Sequence, residues 1–140
     1  MKINTEKLMP DIYLQSKIVK LILDSKTEDA LKLLSSFYHI SPPDIKVGTI
    51  KGRRKTVYAV YVHKERRIYA LNSEVFYNPF IILHEFYHHL RSRATGHRGS
   101  EKHANYYAKE FLHSYGVTRI SEAQFHKEYI AKDNISYYWP

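Results

Sequence analysis

Apolar residues recur along this chain with two different periods, and the switch between them divides it into regions. From Asp11 to about Ser25, Ile12, Ile18, Val19, Ile22 and Leu23 follow a helical spacing after Pro10. Thr27 can cap a second helix, in which Ala30, Leu31, Leu34 and Phe37 recur at the same spacing. Ser41-Pro42-Pro43 ends this helical part, because the residue before a proline is pushed towards extended backbone. The apolar residues then come in short β-branched and aromatic runs: Ile45 to Ile50, Thr56 to Val62 and Arg67 to Leu71. Their connections are too short for crossover helices, so the three strands are expected to form an antiparallel meander. The middle run, Val57 to Val62, is apolar on both alternating faces, one for packing on helices and the other beside a cleft.

Helical spacing returns at Pro79, after a link from Asn72 to Asn78. Asn78 can accept from a free first-turn amide, and a proline at the first helical position has no amide to leave unpaired. Leu83, Phe86, Tyr87 and Leu90 fall at i, i+3, i+4 and i+7 and make one stripe for burial. The polar, glycine-punctuated stretch from Arg91 to Gly99 reads as a loop. Ser100 would cap a helix from Glu101 to about Tyr115, stopped by Gly116. Ser121, Glu122, Ala123, Phe125, Tyr129 and Ile130 suggest a final helix before an aromatic tail from Ile135 to Pro140. The pattern predicts an α+β fold, with a small three-stranded antiparallel sheet packed with helices. One domain is expected over 1–140: a helical part at 1–40, the sheet at 45–72, two site-bearing helices at 78–116, and a helix and tail at 117–140.

Composition narrows the chemistry. With 140 residues, 44% of them hydrophobic, the chain can bury a real core. No apolar run approaches the ~20 residues that span a bilayer, and no apolar segment with a cleavage site follows Lys2. A soluble, cytoplasmic protein is therefore expected. Cysteine is absent, which excludes disulfides and thiolate metal sites and leaves His, Asp and Glu as ligands. The net charge of +8 favours acidic partners. It clusters in Lys51 to Lys55, in Lys64, Arg66 and Arg67, and in Arg91, Arg93 and Arg98. No groove-reading motif accompanies these clusters, so solvated loops are the plainer reading and DNA the lesser one.

The reactive constellation is His84-Glu85-Phe86-Tyr87-His88. Residues four apart on a helix carry Cβ atoms about 5–6 Å from one another, so His84 and His88 can reach one metal ion. Glu85 is turned about 100° from His84 and borders the site without having to ligate. This is the His-Glu-x-x-His arrangement of zinc peptidases. A catalytic zinc site commonly has three protein ligands and a water, so a third ligand is required. Glu101 leads, at the start of the next helix, with Asn105 one turn on to support a ligand histidine. His97 and His103 compete.

The motif followed by Glu101-Lys102-His103-Ala104-Asn105-Tyr106-Tyr107-Ala108 resembles the ImmA/IrrE family of zinc metallopeptidases. The similarity covers about Arg67 to Leu112 and departs from the family pattern at Tyr87 and Tyr107. It implies a compact gluzincin-like, and so zincin-like, fold, with His84, His88 and Glu101 as zinc ligands and Glu85 as general base. A shorter similarity, through Thr95-Gly96-His97-Arg98-Gly99, is to SprT-like zincins, which are associated with DNA-bound protein substrates. The expected activity is hydrolysis of a peptide bond in an intracellular protein, with Zn2+ activating a water and Glu85 moving its proton. Tyr106, Tyr107, His97 and His103 are conceivable donors to the oxyanion. The alternative is a zinc-binding regulatory or nucleic-acid-associated module without turnover.

Overall fold

The computed structural model describes residues 9–48 and 58–123. Two helices, α1 (Ile12–Leu23) and α2 (Thr27–Phe37), precede the strands β1 (Asp44–Val47), β2 (Ala59–Val62) and β3 (Arg67–Ala70). A short helix α3 (Ser73–Phe76) follows, then α4 (Pro79–Thr95) and α5 (Glu101–Ala123). The fold among these residues is α+β, with a small mixed sheet.

Local chemistry explains the helix starts. Asp11 accepts from the Leu14 amide at 2.9 Å to begin α1, and Asn78 accepts from the Ile81 amide at 3.2 Å to begin α4 ahead of Pro79. Thr27 is not the cap expected of it. It lies inside the first turn of α2, fully buried, and its hydroxyl donates to the Phe76 carbonyl at 2.7 Å. That bond ties α2 to α3, a turn of helix within what the sequence suggested was a plain link.

The sheet corrects the expected antiparallel meander. Its order is β1-β3-β2, with β2 antiparallel to β3 but β1 parallel to it. The short link from Lys51 to Arg54 suggested a hairpin between the first two strands. Instead β1 skips its neighbour in sequence, and β2 itself forms part of the return that a parallel pair requires. The strand at the centre is therefore β3, whose Ile68 and Ala70 are fully buried, while β2 lies at an edge.

Ile18, Val19 and Ile22 of α1 meet Leu31 and Leu34 of α2, Leu83, Phe86 and Leu90 of α4, and Phe111 and Leu112 of α5 in one core. The helix α5 packs along both α1 and α4, and α4 carries β2. Both site-bearing helices outrun their expected ends. Gly96, at φ 81°, closes α4 five residues later than the apolar stripe suggested. Gly116 does not stop α5, because α1 grips that helix on either side of it. Ser16 Oγ donates to the Ser114 carbonyl at 3.0 Å and lies 2.7 Å from Thr118 Oγ1, while Ser114 Oγ donates to Gln15 at 2.7 Å. The helix expected from Ser121 begins inside α5, and Phe125, Tyr129, Ile130 and the tail lie outside the described residues. Among the described residues no helix is long and apolar enough to cross a membrane.

Phe111 is fully buried where α5 faces the core. Phe111→Ala is expected to cost about 3–5 kcal/mol in denaturant unfolding, from lost burial and the cavity left behind.

Candidate metal centre

The helix α4 sets His84 and His88 one turn apart, with ring centroids 5.1 Å from one another. A tight reversal from Gly96 to Ser100 then brings the first residue of α5 back over them. Gly99, at φ 76°, makes that reversal possible: a Cβ there would lie 2.8 Å from Tyr87 Cε2 and 3.1 Å from Arg91 Cγ. Glu101 consequently presents Oε2 to both histidines, 2.7 Å from His84 Nε2 and 2.9 Å from His88 Nε2. One ligating atom from each residue lies within 4.8 Å of the others, so the group could hold a metal ion.

The opposite ring nitrogens decide what this convergence means. His88 Nδ1 lies 2.6 Å from the Arg98 carbonyl, which can only accept, so Nδ1 carries the hydrogen. Burial lowers the His88 pKa, which favours the neutral ring with Nε2 as its acceptor. His84 Nδ1 faces Asn105 Oδ1 at 2.8 Å, which places a hydrogen on Nδ1 and leaves Nε2 to face Glu101. Both Nε2 atoms therefore converge on one carboxylate oxygen, an arrangement that a cation shared by neutral rings satisfies and that neutral rings without one do not. Each ligand also has an outer partner, as metal ligands require for orientation. Asn105 holds His84, the Arg98 carbonyl holds His88, and the Arg98 guanidinium holds Glu101 Oε1 at 3.2 Å. The donor set and its support fit a divalent ion of the zinc type.

Glu85 stands beside the group without joining it. Its carboxylate is buried, Oε2 is 3.8 Å from His84 Nε2, and Oε1 has no hydrogen-bond partner among the described residues. Burial, aided by the charge of Glu101, raises its pKa to about 8, against the opposing pull of Arg98 and the Tyr61 main chain. The same residues open onto a cleft of about 370 Å³, bounded by Tyr58 and Ala59 at the edge of the sheet and by Phe80 and Ile81 at the start of α4.

The structure brings His84, His88, Glu101 and Asn105 together, with Glu85 adjacent. His97 and His103 stay out of the group. His97 is exposed in the reversal, and His103 Nδ1 pairs with Ser100 Oγ at 2.7 Å. Of the conceivable oxyanion donors, Tyr107 is in the core with its hydroxyl 3.0 Å from that of Tyr38, and Tyr106 is exposed beneath Lys102. Sequence reasoning missed Arg98, whose role depends on a main-chain carbonyl that no residue type announces. It also missed His89, fully buried between Tyr61 and the Ser41 carbonyl. The signal for His89 was its place one turn beyond Glu85. Among the basic clusters, Lys51 to Lys55 lie outside the described residues, while Arg67 and Arg98 are engaged by carboxylates. No family model, characterised protein or solved structure matches this chain, and the geometry of the site carries the functional reading.

Two outcomes follow from this geometry. Gly99→Ala should displace the Arg98 carbonyl and Glu101, weakening metal affinity roughly 10–100-fold in a chelator competition. The second concerns Glu85. Its folded pKa, about 8, lies above the ordinary 4.5, so its contribution to stability is complete below pH 4.5 and lost as pH rises to 8. In metal-stripped protein, Glu85→Gln should flatten that slope in a pH series of denaturant melts.

Proposed function

We propose that this chain is a zinc-dependent, zincin-like peptidase of the ImmA/IrrE kind, hydrolysing a peptide bond in a protein substrate. The observation that carries the reading is the meeting of the His84 and His88 Nε2 atoms on Glu101 Oε2, beside a buried carboxylate with an unpartnered oxygen. His84, His88 and Glu101 would hold the ion. Zinc bound there supplies a Lewis acid that activates water and polarises a carbonyl.

The chain's own groups supply the remainder. Glu85 Oε1 is free to take a proton from the attacking water and return it to the leaving nitrogen. The edge of β2 can hold the substrate. Leu71 N donates to Tyr58 O at 2.8 Å, and antiparallel pairing alternates, so Ala59 and Tyr61 direct their amides and carbonyls away from β3. An extended peptide added along that edge would pass the mouth of the cleft and present its backbone to Glu85. Tyr58, Phe80 and Ile81 give the cleft an apolar wall against which a substrate side chain can pack.

Elemental analysis of wild type, His84→Ala and Glu101→Ala tests the metal reading. Near-stoichiometric zinc should fall in both variants, and a wild type that takes up none removes the proposal. Glu85→Gln should retain zinc and fold while cleavage falls on the order of 10²–10⁴-fold, the usual worth of a general base. Full proteolysis by that variant would take Glu85 out of the mechanism.

A further inference from the structure

We propose that Tyr61 and His89 are positioning residues that clamp the edge strand β2 onto α4, setting the height at which a substrate backbone meets Glu85. The inference rests on the peptidase reading above.

Glu85 and His89 are four residues apart and so stack on one face of α4, in a row beside that of His84 and His88. His89 is fully buried. Its Nε2 lies 2.9 Å from the Ser41 carbonyl, which can only accept, so Nε2 carries the hydrogen. That leaves Nδ1 as an acceptor, and the Tyr61 hydroxyl donates to it at 2.9 Å. The two rings meet edge-on, centroids 5.3 Å apart at 70°. The result is a one-way relay from β2 through α4 to the link before β1, with every polar atom of the imidazole partnered.

Tyr61 connects this relay to the chemistry. Its side chain reaches His89, while its main chain, on the open edge of the strand, faces the carboxylate one turn earlier on α4. One residue of the edge strand thus spans both members of the Glu85 row. Filling the space between β2 and α4 would need only a phenyl ring. The hydroxyl adds direction, because it fixes the strand along the helix axis by one donor meeting one acceptor. Displacements of about 1 Å in such an arrangement cost on the order of 10²-fold in rate.

The test uses Tyr61→Phe, with His89→Gln and His89→Leu as a second pair, in the full chain. Zinc content should remain at the wild-type level in Tyr61→Phe, since none of the three ligands touches the hydroxyl. Amide hydrogen exchange at Val60 and Val62, whose main chains pair with β3, should accelerate about tenfold as the strand loosens. The loss in kcat/KM should be about tenfold for long members of a fluorogenic peptide series, which lie along β2, and smaller for the shortest members. His89→Gln, which keeps a donor and an acceptor, should retain more activity than His89→Leu at equal zinc content. Unchanged exchange at both amides, a loss independent of peptide length, or zinc lost in step with activity would each overturn the clamp. A wild type that binds zinc but cleaves no peptide strikes the peptidase reading instead, and exchange at Val60 and Val62 then decides the clamp alone.

Discussion

The rest of this structure depends on one electrostatic constraint: two imidazole Nε2 atoms face the same carboxylate oxygen. His84 and His88 have their hydrogens committed on the far side of each ring, to Asn105 and to the Arg98 carbonyl. Left to themselves the three polar groups would each be hydrated by water. They are held together by elements that have little freedom to move. The Gly99 reversal passes against Tyr87, and α1 grips α5 around Gly116, so the start of α5 cannot swing away from α4 without breaking the core. A cation shared by the three ligands would offset the cost of holding them, and its binding energy would add to folding.

That constraint also accounts for the burial of α4. An amphipathic helix at the surface would satisfy the apolar stripe of Leu83, Phe86 and Leu90 and leave the histidines wet. Here Glu85, His88 and His89 are buried too. Burying a polar side chain without a partner costs about 1–3 kcal/mol, so each of these groups must be paired, coordinated or held at a cost that serves something else. His88 and His89 are paired at their Nδ1 atoms by 2.6 and 2.9 Å contacts. Glu85 is the exception.

Much of the candidate site was legible because side-chain spacing on a helix is a geometric fact. His84, His88 and the supporting Asn105 could be placed from i, i+4 relations, and Glu101 from its position at the start of the next helix. The fold was legible only where structure is local. Caps at Asn78 and the apolar spacing of α1 survive intact, but the pairing of β1 with β3 depends on contacts between strands separated by β2, which no short-range pattern contains. Gly116 shows the same limit from the other side. A glycine favours a helix end when nothing opposes it, and the hydroxyl contacts from Ser16 do oppose it. Arg98 was invisible for a simpler reason: its carbonyl, common to every residue type, does the orienting.

The contrast between Glu85 and His89 argues for chemistry in terms of stability. The two sit one turn apart on the same face of α4, and both are buried. At His89 the fold supplies a donor and an acceptor, and the imidazole is fully satisfied. At Glu85 it supplies neither to Oε1, and the nearby charge of Glu101 makes ionisation harder still. A fold shaped by stability alone would treat both positions alike, since replacing Glu85 with an apolar residue would remove the unpaired oxygen. A carboxylate with one oxygen held unpaired, beside three converging ligands and facing the open edge of a strand, is placed to exchange a proton with something that enters the cleft.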